Sequence, residues 1–123
     1  MIRLILIRHG RSLANENRIF ANISQSYPLT EQGELQAELA AARLSRFKVH
    51  RIYSSPIIRA MQTARIIADK LGLRVYRAPA LVEYNVGIYE GQPYESGIEK
   101  KWELEAAWMR GEQRHVSLPD GET

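Results

Sequence analysis

Four side chains in this 123-residue sequence are of the types that phosphoryl chemistry uses: Arg8, His9, Arg59 and Glu83. An arginine guanidinium is a planar fork that fits two oxygens of a phosphate. An unprotonated histidine nitrogen can attack phosphorus and form a covalent intermediate. A carboxyl near a bound phosphate has its ionised form disfavoured, so it holds a proton that it can deliver to a leaving oxygen. Read singly, each has an ordinary alternative. Arg8-His9-Gly10 fits a solvated strand end, Arg59 a surface cation, and Glu83 an exposed carboxylate with Glu90 as its competitor.

The elements around these residues decide whether they meet. Residues 4–7 form an apolar run suited to a buried strand. It stops at Arg8-His9-Gly10, the carboxyl end, where open α/β sheets bind ligands. Gly10 has no Cβ and lets the backbone bend sharply and approach an anion. Residues 11–27 are polar and rich in Asn, a loop anchored by Phe20 and Ile23. Thr30 is an N-cap and Glu31 sits in the first turn of a helix to about residue 47, with Leu35, Leu39, Ala42 and Leu44 as its core stripe.

A second strand is predicted over residues 49–54. Ser55 as N-cap and Pro56 at the first helical position then open a helix that ends at Gly72. Its core face is Ile58, Met61, Ile66 and Leu71. Arg59 falls on its first turn, where free N–H groups favour anions. Residues 73–76 read as a third strand and residues 78–93 as a loop with Gly and Pro punctuation. A last helix spans residues 94–110, with Ile98, Trp102, Ala106 and Met109 on one face. This rhythm predicts an α/β fold: a three-layer sandwich with a mostly parallel central sheet.

Composition narrows the function classes. The chain has room for one domain. Its formal charge of +3 suits small anions but lacks the dense basic block of a nucleic-acid arm, so no nucleic-acid partner is expected. With no cysteine, disulfides and thiolate metal sites are excluded, and a cytoplasmic location is the expectation. No apolar stretch reaches membrane-spanning length, so no membrane partner is expected. His9, His50 and His115 are scattered without ligand spacing, and no metal or other cofactor is called for.

Each signal is modest, but their order is specific. Arg8-His9-Gly10-x-Ser12-x-x-Asn15, then Pro28-Leu29-Thr30-x-x-Gly33, then Ser55-Pro56-x-x-Arg59-Ala60, then Leu81-x-Glu83 and Glu90-Gly91 together resemble the histidine phosphatase superfamily, the phosphoglycerate-mutase-like family. The resemblance covers nearly the whole chain. It implies that His9 is the nucleophile that becomes a phosphohistidine, and that Arg8 and Arg59 clamp the phosphate. It implies that Asn15 lines the phosphate pocket with Ser12 beside it, and that Glu83 is the general acid. The implied activity is hydrolysis of a small phosphomonoester. Mutases of the family have Glu after Arg-His-Gly and Trp before the asparagine. Arg11 and Ala14 stand there, which tilts the reading towards a phosphatase, with a phosphoglycerate mutase as the alternative.

One part of the family pattern is missing. A second histidine, in a His-Gly motif on a later strand, has no match. Residues 119–123 resemble the loop that precedes that part. The expectation is therefore a single N-terminal portion of a histidine phosphatase domain over residues 1–123. A further alternative is a silent module that binds a phosphorylated ligand or dimerises. In the resembling fold the missing strand lies beside the first one. Residues 4–7 should then present an open edge, marginal in an isolated monomer or paired with another copy.

Overall fold

The computed structural model describes residues 1–112 and 116–121. His115 therefore lies outside the described residues, as do the last two positions of the tail motif.

The order of elements is α1 (Leu13–Asn17), α2 (Glu31–Leu44), β1 (Ile52–Ser54), α3 (Ile58–Leu71), β2 (Val75–Arg77) and α4 (Ile98–Met109), with short 3-10 turns at Gly87–Tyr89 and Tyr94–Ser96. β1 and β2 pair in parallel, Ile52 opposite Val75 and Ser54 opposite Arg77, and α3 is the crossover between them. This is the α/β arrangement that the alternation predicted. The sheet has two strands among the described residues.

Several boundaries follow local chemistry. Thr30 caps α2 by accepting the Gly33 N–H at 3.1 Å. Gly72 closes α3 at φ 67°, a left-handed conformation that suits glycine. Others depart from expectation. Ser55 does not cap α3: its Oγ accepts the Ile57 N–H at 3.3 Å, and the helix begins two residues later than its sequence suggests.

The buried faces are also rotated from those predicted. In α2 the interior residues are Gly33, Ala37, Ala41 and Leu44, while Leu35 and Leu39 are exposed. In α3 they are Arg59, Thr63, Ala64, Ile67 and Ala68. The two helices pack on one another, with Ala41 and Leu44 of α2 and Ile67 of α3 in one buried cluster, so the face of α2 that carries Ala37 and Ala41 is the interior one. α4 likewise buries Leu104 and Ala107 and leaves Trp102 and Met109 exposed. Ile23, expected as an anchor, is exposed, whereas Phe20 is buried with Val86, Tyr89, Leu104 and Leu118.

The largest departure is at the start. Residues 1–10 join no strand, and Leu4 and Leu6 are 80% and 85% exposed. The residue types suit a strand, but a strand needs a ladder partner about 4.8 Å away. Between this segment and residues 48–55 lies instead a cavity of about 950 Å³, with Leu4, Leu6, Ile52 and Ile57 among its walls. The run forms no strand and so no strand edge of its own; the side of β1 away from β2 is the one left unpaired among the described residues.

Candidate active site

The Arg8-His9-Gly10 bend is held from two sides by backbone packing. Gly10 donates its N–H to Thr63 Oγ1 at 3.1 Å, and the same hydroxyl donates to the Arg59 carbonyl at 2.8 Å. A Cβ on Gly10 would sit 2.3 Å from the Gly33 carbonyl oxygen. Glycine is thus needed for close contact with α2, not for contact with an anion. One threonine on α3 ties the His9 bend to the helix that carries Arg59.

His9 and Arg59 meet. The Arg59 Nε–H donates to His9 Nε2 at 3.1 Å. On the other side of the ring, Nδ1–H donates to the Gly10 carbonyl at 2.7 Å. These two bonds are mutually consistent only if Nδ1 carries the proton and Nε2 is a lone-pair acceptor. Burial holds the His9 pKa below its ordinary value, with Arg59 and Arg8 adding to the effect and the Gly10 carbonyl and Glu83 opposing it. The ring is therefore neutral at neutral pH, and the nitrogen facing the arginine is the nucleophilic one.

Arg59 is 6% exposed. Its Nη2 donates to the Ala21 carbonyl at 2.5 Å, and its Nε is taken by His9. Its Nη1 is buried with no partner. Burial lowers the Arg59 pKa, opposed by Glu83 and Glu90. A buried guanidinium nitrogen without an acceptor costs about 1–3 kcal/mol, a penalty that an arriving oxyanion removes.

Arg8 and Glu83 border the same cavity as His9 and Arg59, and both act electrostatically on His9. Ser12 and Asn15 are placed otherwise. Ser12 is buried and caps α1, its N–H and Oγ–H both directed at Asn15 Oδ1 at 3.0 Å. Neither residue borders the cavity. The first turn of α3 offers fewer free donors than expected, because Ile58 N–H already donates to Gln25 Oε1 at 2.6 Å. Arg11 turns to α2, with Nη1 donating to Gln32 Oε1 at 3.1 Å.

Glu83 and Glu90 stand in different surroundings: Glu83 borders the cavity, and Glu90 does not. Glu90 accepts three backbone N–H groups, from Asn22 through Oε2 and from Ile23 and Ser24 through Oε1, at 2.9–3.1 Å. A carboxylate so engaged is a structural acceptor. Asn22 borders the cavity, donates its amide to the Tyr84 carbonyl, and escaped notice in the sequence because Asn in a polar loop reads as a turn former. Thr63 and the Ala21 carbonyl carried no sequence signal. Of the other aromatics weighed, Trp108 packs edge-on against Tyr84 and Trp102 is exposed. His50 is exposed at the far wall of the cavity.

The chain as a whole is similar to known proteins. The model of the histidine phosphatase superfamily (branch 1) matches residues 4–123. A probable phosphoglycerate mutase of Yersinia enterocolitica is 37% identical over 123 residues, which are 100% of this chain and 56% of that protein. Among solved structures, a mycobacterial glucosyl-3-phosphoglycerate phosphatase with VO3 superposes with TM-score 0.77 at 26% identity, over 94% of this chain and 54% of that one. The alpha-ribazole phosphatase from Shigella flexneri gives TM-score 0.72 at 28% identity, over 94% and 56%. The chain spans about half the length of the relatives it matches.

Proposed function

The chain belongs to the histidine phosphatase superfamily, and from that premise we propose that it carries the nucleophile and phosphate clamp of a phosphomonoesterase acting on a small phosphorylated metabolite. The observation that carries this reading is the buried, unpartnered Arg59 Nη1 beside a histidine whose unprotonated Nε2 accepts the Arg59 Nε–H, a bond that an arriving phosphoryl group takes over before Nε2 attacks. Arg8 and Arg59 take the non-bridging oxygens of the ester. Asn15 and Ser12, bonded to one another at the cap of α1 outside the cavity, take no direct part in this step. His9 Nε2 bonds to phosphorus as the ester P–O bond breaks, and Glu83 gives its proton to the leaving oxygen. The Glu83 carboxylate then takes a proton from water, whose oxygen attacks phosphorus and releases phosphate and free His9. Positioning and charge neutralisation provide most of the acceleration in such a transfer.

Phosphoglycerate mutation is the second reading, supported by the name of the Yersinia relative. Arg11 favours hydrolysis only indirectly, since its guanidinium lies on α2. The chain would act in the cytoplasm, alone or as a pair of copies joined along the unpaired side of β1. Incubation of the protein with a generic phosphate ester tests the reading. Release of free phosphate and an acid-labile phosphoryl group on His9 are expected. Isomerised phosphoglycerate would instead favour the mutase. Binding without either product would leave a silent phospho-ligand module.

A further inference from the structure

Glu90, which the proposed reaction does not use, is the most heavily hydrogen-bonded carboxylate among the described residues. Glu90 draws the N–H groups of Asn22, Ile23 and Ser24 towards its two oxygens. Three successive amides converging on one anion form a nest, a concave arrangement with partial positive charge. The residue just before this nest is Ala21, and its carbonyl accepts Arg59 Nη2 at 2.5 Å. Folding the amides of residues 22–24 towards Glu90 turns the preceding carbonyl the other way, towards α3. The neighbouring backbone is locked as well: Gly91 N–H donates to the Phe20 carbonyl at 2.7 Å and Phe20 N–H to the Gln92 carbonyl at 2.9 Å. Glu90 thus sits in a short two-sided clasp whose free end is the Ala21 carbonyl.

We infer that Glu90 is a positioning residue for the phosphate clamp: by filling the 22–24 nest it sets the Ala21 carbonyl that fixes the Arg59 guanidinium, leaving Nε on His9 and Nη1 unpaired for a phosphoryl oxygen. The inference deepens the phosphoesterase reading and rests on it for the identity of the ligand. The contact itself does not depend on that reading. Glu90 also offsets the charge of buried Arg59 from a distance, as the direction of its effect on the arginine shows. A neutral glutamine keeps one acceptor oxygen and replaces the other by an NH2 that repels the nest amides, so the clasp loosens without a change in size.

The experiment follows the Arg59 Nε–Hε signal and the amides of residues 22–24 by NMR in 15N-labelled protein, with Glu90→Gln, Glu90→Asp and, as a nearby control, Glu95→Gln. In the wild type the side-chain signal and the three amides should be protected from exchange together. In Glu90→Gln they should exchange about tenfold faster or more, while amides of α2 and α3 keep their wild-type protection. Glu90→Asp should recover part of the effect, and Glu95→Gln none of it should lose. Orthovanadate titration should show affinity reduced about tenfold in Glu90→Gln. Unprotected nest amides in the wild type, or an Arg59 signal indifferent to Glu90→Gln, would overturn the inference, and the wild-type measurement stands even if a variant fails to fold. A wild type that binds no vanadate would sink the phosphoesterase reading instead, with the Arg59 signal still deciding the role of Glu90.

Discussion

The Nε–H of Arg59 rests on Nε2 of His9 at 3.1 Å, although 50 residues separate the two in the chain. A cation donating to an imidazole lone pair keeps the ring from taking a proton at that nitrogen. Burial is the larger cause, and together they keep His9 neutral to lower pH than an ordinary histidine. Its folded pKa is below its unfolded value, so the folded protein binds fewer protons in the interval between them. Stability should therefore fall as pH drops from 6.5 through the folded pKa, and the loss should be complete below it. Denaturant melts at pH 7.5 and pH 5 should show this dependence in the wild type and less of it in His9→Ala. Turnover should fall over the same acid interval, because only the neutral ring attacks. His9→Ala should lower phosphate release at least about 10³-fold, the scale for loss of a nucleophile.

The orphaned Nη1 of Arg59 makes a separate prediction about ligands. Orthovanadate or phosphate should raise the melting temperature, because an anion binds the folded state alone. At 100 times its Kd the gain is about 2.7 kcal/mol. Arg59→Ala should abolish the shift. Arg59→Lys should not restore it, since an ammonium lacks the fork that serves His9, Ala21 and the anion at once. A thermal shift of equal size in wild type and Arg59→Ala would place the anion elsewhere.

Gly10 predicts the cost of filling a close contact. Its Cβ position lies 2.3 Å from the Gly33 carbonyl oxygen, and that of Gly33 lies 2.0 Å from the Arg11 carbonyl oxygen. Both neighbours are backbone, which cannot swing aside. Gly10→Ala should destabilise the protein by about 1–3 kcal/mol. Gly72→Ala meets no atom within 4 Å but has φ 67°, so its smaller cost comes from the backbone conformation alone. Melting temperatures of the two variants should rank in that order.

How much of this was legible in the sequence depended on how local the cause was. The Thr30 cap and the Gly72 stop depend on neighbours a few residues away, and they read correctly. The buried face of α2 did not. Leu35 and Leu39 carry a stronger apolar signal than Ala37 and Ala41, but the side of α2 that meets α3 is the one that is buried, and that partner is not visible in the pattern. Residue type alone did not separate Glu83 from Glu90, and the bonds of Glu90 were out of reach of the pattern, since they go to amides 66–68 residues away. Ser12 and Asn15 fit a motif, yet their local bonds make a helix cap first. The run at residues 4–7 has the right composition for a strand and no ladder to join, since pairing belongs to the partner as much as to the segment.

That unpaired run yields the last prediction. Leu4 and Leu6 face out at 80% and 85% exposure beside the apolar cavity, and β1 has β2 on one side only among the described residues. Exposed apolar side chains together with unpaired backbone groups favour association with a further strand. The 123-residue protein should therefore self-associate at micromolar concentration, with a sedimentation coefficient that rises with loading. Leu6→Glu removes little from the monomer, about 0.5 kcal/mol or less, because the side chain is already in water. It should nevertheless shift the protein to monomer, through charge repulsion between approaching edges. A wild type that sediments as a monomer at every concentration and melts cooperatively at an ordinary temperature would show that the edge tolerates solvent, and Leu6→Glu would then change nothing.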